Sequence, residues 1–182
     1  MKHYDIFISY RRDGAEDFAR SIYQDLKHKG YQVFLDRQNL MSGDYTAQVL
    51  EVISNCRDVI IILPEHALDR CQEEQDLFRK EISTAIRLNK NIISIVRQNF
   101  RFPPESSLPE DIRNFPRYEA IIENPNAYDS VLQRLCLMLK DSKKRTKHKN
   151  HAGMKKNIVC RTGSFHHIRY SFRNFSVPVE IS

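Results

Sequence analysis

The 182-residue chain is long enough for one domain of about 100–150 residues and an appendage. Its 41% hydrophobic and 29% charged residues read as a soluble globular chain rather than a disordered one. Its longest apolar run, VIIIL at 59–63, falls far short of the roughly 18 residues needed to span a bilayer, so no transmembrane segment is expected. The +6 formal charge is concentrated at one end: residues 141–182 carry ten Lys/Arg and two Asp/Glu, a net of +8, which leaves −2 on the first 140. A nucleic-acid-binding fold would carry its basic face on the folded body, so no specific nucleic acid is expected as a partner.

MKHYDIFISY has no long apolar signal region and no small-residue cleavage site, and it passes almost directly into a strand-like run at 4–10. Residues 11–30 follow as an amphipathic helix. Phe18, Ile22 and Leu26 recur every four residues, Ala15, Ala19 and Tyr23 line the adjacent stripe, and Gly30 is a natural stop. YQVFLD (31–36) is the second strand, and the polar, Gly43-containing RQNLMSGD is a loop. The next helix puts Thr46, Val49, Leu50 and Ile53 on one face. DVIIILP (58–64) is a β-branched run of the kind buried on both faces in a parallel sheet. After a polar connection, Phe78, Ile82, Ala85 and Ile86 form the core face of a third helix. NIISIV (91–96) is another buried strand. Residues 97–117, with four prolines, read as a long loop with one helical turn. YEAIIE (118–123) is the last strand. Tyr128, Val131, Leu132, Leu135 and Leu139 are in helical phase.

Five strands alternating with helices predict an α/β domain over residues 1–140: a flavodoxin-like, doubly wound, five-stranded parallel sheet in strand order 2-1-3-4-5. Such sheets bind ligands beyond the carboxyl ends of their strands, near the switch point. The loops there are YRRDG, DRQNLMSGDY, PEHALDRCQEEQD and RQNFRFPPESS. Residues 141–157 read as a basic, disordered linker and 158–182 as a β-prone tail without assignment. Cys56, Cys71, Cys136 and Cys160 show no CxxC pair and are expected as reduced thiols in a cytoplasmic setting. His148, His151, Cys160, His166 and His167 match no common zinc spacing, so no metal is expected.

One acidic residue stands apart. Glu73, Glu74 and Asp76 precede or open the third helix, where its dipole favours negative charge, and Asp76 suits the N-cap. Glu81 lies inside the helix, on the stripe of Leu77 and Thr84 beside the core face. A partly desolvated carboxylate there can steady a developing glycosyl cation or accept a ribose hydroxyl proton. By position alone, a half-exposed glutamate in an i,i+4 pair is the better account of it.

The run of YDIFISYRRD, GYQVFLDRQNLMSGDY, DVIIILPEHALDRC, DLFRKEISTAI and NKNIISIV resembles a TIR (Toll/interleukin-1 receptor) domain of the bacterial, NAD-cleaving kind. FPPESSLPEDI resembles the proline-rich loop of that group. The likeness spreads over residues 3–140, and the tail has no counterpart. It implies cleavage of the nicotinamide–ribose bond of NAD+, giving nicotinamide and ADP-ribose or a cyclic isomer. NAD+ is then the substrate, and no other cofactor and no metal are implied. The family's glutamate, within a W-x-x-K-E-like stretch, falls on Glu81 as the catalytic group. Tyr10, Arg11 and Arg12 match its first loop, and Asp36, Gly43 and Tyr45 its second, all as substrate-binding positions. Leu77 stands where the family often has an aromatic. The resemblance further implies activation by self-association, with a role in bacterial defence or as an effector delivered to a host cell.

The competing reading is a non-catalytic adaptor that docks other TIR domains. Glu81, Arg11 and Gly43 together favour the enzyme. A response regulator shares the topology but needs an acidic pair after the first strand and an aspartate directly after the third. Here those places hold YRRD and PEHALDRC, with Asp69 displaced into the loop.

Overall fold

The computed structural model describes residues 3–35 and 43–140. Its elements run β1 (Ile6–Tyr10), α1 (Arg12–His28), β2 (Val33–Leu35), α2 (Gly43–Asn55), β3 (Asp58–Leu63), α3 (Leu77–Arg87), β4 (Asn91–Val96), β5 (Glu119–Ile122) and α4 (Tyr128–Met138). All strand pairs are parallel, and the sheet order is β2-β1-β3-β4-β5, as the alternation of elements predicts. The expectations for Asp36 and for residues 141–157 and 158–182 lie outside the described residues.

β3 sits at the centre of the sheet: all six of its residues are buried, five of them aliphatic, as are all five of β1. Strand alternation then builds two cores. Ile6, Ile8, Tyr10, Ile60 and Ile62 meet Ala15, Ala19, Ile22 and Leu26 of α1 and Val131, Leu132 and Leu135 of α4. Phe7, Val59, Ile61 and Leu63 meet Val49 and Ile53 of α2 and Phe78, Ile82 and Ala85 of α3. Each fully buried Ile or Phe contributes about 1.5–3 kcal/mol of transfer free energy.

Local signals end the helices. Gly30 has φ +91°; its N–H bonds Lys27 O and that of Tyr31 bonds Leu26 O, which together form a Schellman stop on α1. Asn89, at φ +51°, ends α3 in the same way, through Asn89 N–H to Ile86 O and Lys90 N–H to Ala85 O. At the amino end of β3, buried Asp58 ties the end of the domain to the sheet. Its Oδ1 accepts from Asn91 Nδ2 at 2.6 Å and from the Lys140 N–H at 3.1 Å.

Three features depart from the sequence reading. Gly43 is the first residue of α2 rather than part of the loop before it, since a helix's opening position tolerates glycine. α1 is broken at its start, where Gly14 takes φ +80°, and runs regularly only from Ala15. The connection from 97 to 118 holds three short 3₁₀ turns (Glu105–Ser107, Glu110–Ile112 and Phe115–Arg117) and buries Phe100, Leu108, Ile112 and Phe115 in the α2/α3 core. Its prolines fix φ before two of the turns, which lets a segment without periodicity still present apolar residues inward.

Candidate functional site

β1 carries the site through strict alternation. Its even-numbered side chains face α1 and α4, and its odd-numbered ones face α3. Ser9 and Arg11 therefore both point at α3, from the carboxyl end of the strand beside the β1/β3 switch point. The Ser9 hydroxyl donates to Glu81 Oε2. Both residues are 0% exposed, so the half-exposed reading of Glu81 does not hold. Removing a carboxyl from water costs free energy unless hydrogen bonds replace the lost solvation, and Ser9 supplies one such bond.

One turn away, Asp76 caps α3 by accepting from Arg79 N–H at 2.9 Å. The same carboxylate takes a two-pronged ion pair from Arg11, Nη1 to Oδ2 at 2.8 Å and Nη2 to Oδ1 at 2.9 Å. Arg11 Nε donates to Ala67 O at 2.9 Å, and its guanidinium lies 4.6 Å from the Phe78 ring centroid. The Cys71 thiol sits 3.7 Å from both Arg11 Nη2 and Asp76 Oδ1. Burial pushes that thiol up to about 12 despite the opposing pull of Arg11, so it is not a nucleophile at neutral pH.

The other expected site residues are distributed unevenly. Leu77 is half-buried one turn before Glu81, on the same side of α3. Tyr10 belongs to the opposite face of the sheet, packed in the α1/α4 core, so strand parity excludes it from the Glu81 side. The Arg11 fork is filled by Asp76 and Ala67, and a substrate phosphate could engage it only by breaking a buried ion pair. Arg12 is exposed at the first position of α1. Tyr45 is half-buried near the start of α2, where it lines a cavity of about 260 Å³ with Tyr4, Phe34, Gln48, Val49 and Val52.

Ser9 is the residue that sequence reasoning missed. Its signal was available, because Phe7, Ser9 and Arg11 share a parity that Tyr10 and Arg12 do not. Among the described residues no group of three or more His, Cys, Asp or Glu is placed to hold a metal ion. No helix among them is long and apolar enough to cross a membrane.

Comparison with known proteins identifies the family. A protein of Danio rerio named NAD(+) hydrolase SARM1 is 30% identical over 138 residues, which cover 74% of this chain and 19% of that protein. The Caenorhabditis elegans NAD(+) hydrolase tir-1 is 35% identical over 124 residues, 66% of this chain and 13% of that protein. The chain thus spans about a fifth or less of the length of these curated relatives. Among solved structures, the RPS4 and RRS1 TIR domain heterodimer aligns with TM-score 0.51 at 12% identity, covering 76% of this chain and 99% of that one. A metazoan TIR-STING receptor from C. gigas, solved with 2',3'-cGAMP, aligns with TM-score 0.50 at 20% identity, covering 77% of this chain and 41% of that one. At these identities the structural likeness concerns the fold alone. Residues 6–124 match the TIR domain family, and the chain belongs to it.

Proposed function

We propose that this TIR domain cleaves the nicotinamide–ribose bond of NAD+, with Glu81 as the catalytic carboxylate. One observation carries the reading: an internal helix glutamate, fully buried, is held by β1 beside the switch point where doubly wound sheets bind ligands. Burial of a carboxylate costs stability, and at the ligand-binding end of the sheet a chemical role accounts for that cost. The names of the relatives, NAD(+) hydrolases at 30–35% identity, supply the substrate.

The nicotinamide–ribose C–N bond breaks with its electron pair leaving on nicotinamide, which departs neutral. The ribosyl carbon is left as an oxocarbenium-like cation, which an adjacent carboxylate stabilises electrostatically. Water then adds to that carbon and loses a proton, giving ADP-ribose. Capture by a ring nitrogen of the adenine gives the cyclic isomer instead. In this reading Leu77 forms an apolar wall one turn before Glu81, and exposed Arg12 meets the phosphates. Asp36 and, at the start of α2, Gly43 and Tyr45 complete the site.

Because Glu81 has no exposed surface, substrate must be admitted by a step that uncovers it. Self-association of TIR domains is the proposed trigger, in a cytoplasmic defence or effector role. The test is incubation of the full chain with NAD+ over a range of protein concentrations, with nicotinamide and the nucleotide product identified by mass. Release that rises more steeply than in proportion to protein supports the reading, and absence of release at every concentration refutes it.

A further inference from the structure

We propose that Ser9 is a positioning residue for Glu81: its hydroxyl fixes the carboxylate in the orientation that the bond cleavage requires. The inference rests on the function proposed above and deepens it. β1 reads IFISY, and Ser9 is the one position in it that is neither aliphatic nor aromatic. A hydroxyl fully buried in a strand with neighbours on both sides is costly unless it is bonded. The bond it makes runs across 72 residues of sequence to Glu81 Oε2.

The geometry of that bond suits a positioning role. Glutamate has three rotatable side-chain bonds, and a carboxylate at the end of them points in one direction only if something holds it. Ser9 pins Oε2 and so sets the direction of the whole carboxylate. The support is rigid, since β1 is flanked by β2 and β3 and buried along its length. Two residues on, Arg11 grips Asp76, the cap of the same helix. The odd-numbered face of β1 thus holds α3 at its start and again at Glu81, which fixes both the axial position of the helix and the aim of its carboxylate. A displacement of about 1 Å at a reacting group can cost roughly 100-fold in rate.

The sheet provides a matched control. In the register, Ser9 stands beside Ile61 and Ile61 beside Ser94 of β4, so the two serines share one row and one face. Ser94 is 1% exposed, but its Oγ has no hydrogen-bond partner among the described residues. Removing either hydroxyl empties a similar volume on the same sheet face, and only the Ser9 hydroxyl bonds Glu81.

The experiment measures nicotinamide release against NAD+ concentration for the full chain and for Ser9→Ala, Ser9→Thr and Ser94→Ala. We expect Ser9→Ala to lose about 10- to 100-fold in kcat with KM within about 2-fold, Ser9→Thr to recover to within about 3-fold of the native chain, and Ser94→Ala to match it. Native kcat in Ser9→Ala, an equal loss in Ser94→Ala, or no recovery by threonine overturns the inference while the proposed activity stands. No release by the native chain overturns both. If Ser9→Ala does not fold, Ser9→Val set against Ser9→Thr gives the same comparison at matched shape, and equal rates for those two overturn the inference.

Discussion

Arg11, at the carboxyl end of β1, closes a two-pronged ion pair on Asp76, the residue that caps α3, and both side chains are 8% exposed. The pair joins the strand and the helix whose carboxyl ends and start define the candidate site. Removing one partner of such a pair leaves the other charge buried. Arg11→Ala should therefore destabilise the fold by about 3–5 kcal/mol, with Arg11→Lys intermediate because an ammonium cannot make the paired fork. Denaturant unfolding checks this. A phosphate-binding Arg11 would show the opposite pattern, a raised KM at unchanged stability.

The Asp58 clasp gives a prediction in pH. Burial raises the carboxyl of Asp58 above its ordinary value of 3.8, outweighing the hydrogen bond from Asn91 that lowers it. The folded chain then holds a proton over a range where the unfolded chain has released it. On this group's account, stability falls as pH rises from about 3.8 through the folded value and is level above that. Asp58→Asn keeps an acceptor for Asn91 and Lys140 without the buried charge. It should gain in Tm relative to the native chain as pH rises through this window. Asp58→Ala forfeits both bonds and should cost about 2 kcal/mol at neutral pH. Thermal melts across pH separate the two.

Burial raises the thiols of Cys56 and Cys71 to about 12, so neither presents a thiolate near neutrality. Alkylation of the native protein at pH 8 should spare both until denaturant is added, as peptide mass mapping would show. Rapid labelling of either without unfolding would contradict the packing described for it.

Phe115 tests whether the proline-rich connection is part of the core. It is 0% exposed and touches Phe102 in an edge-on pair at 6.0 Å. Phe115→Ala should cost about 3–5 kcal/mol, a core penalty rather than a loop one. A loss below about 0.5 kcal/mol, as at an ordinary surface position, would contradict this.

The architecture was largely legible because hydrophobic period and punctuation agree along the chain. Val59–Leu63 could only be an interior strand, and the stripes through Ile22 and Ile82 could only be inward helix faces. The connection from 97 to 118 was not legible as core, because 3₁₀ turns impose no period long enough to recognise. At the site, the acidic helix and its cap at Asp76 were readable from residue type. The roles along YRRD were not, because proximity in sequence concealed strand parity: Tyr10 and Arg11 are neighbours in the chain and lie on opposite faces of the sheet. Ser9, chemically unobtrusive, shows its role only when α3 is laid across β1.

The most direct test of the central claim is nicotinamide release by Glu81→Gln beside the native chain, at the protein concentration where release is greatest. Glutamine keeps the shape of the side chain and an oxygen to accept the Ser9 hydroxyl, while removing the charge that would steady the ribosyl cation. The variant should be at least as stable as the native chain, with release lowered by about 100-fold or more. A Glu81→Gln chain that releases nicotinamide at the native rate would show that the carboxylate does not carry the chemistry.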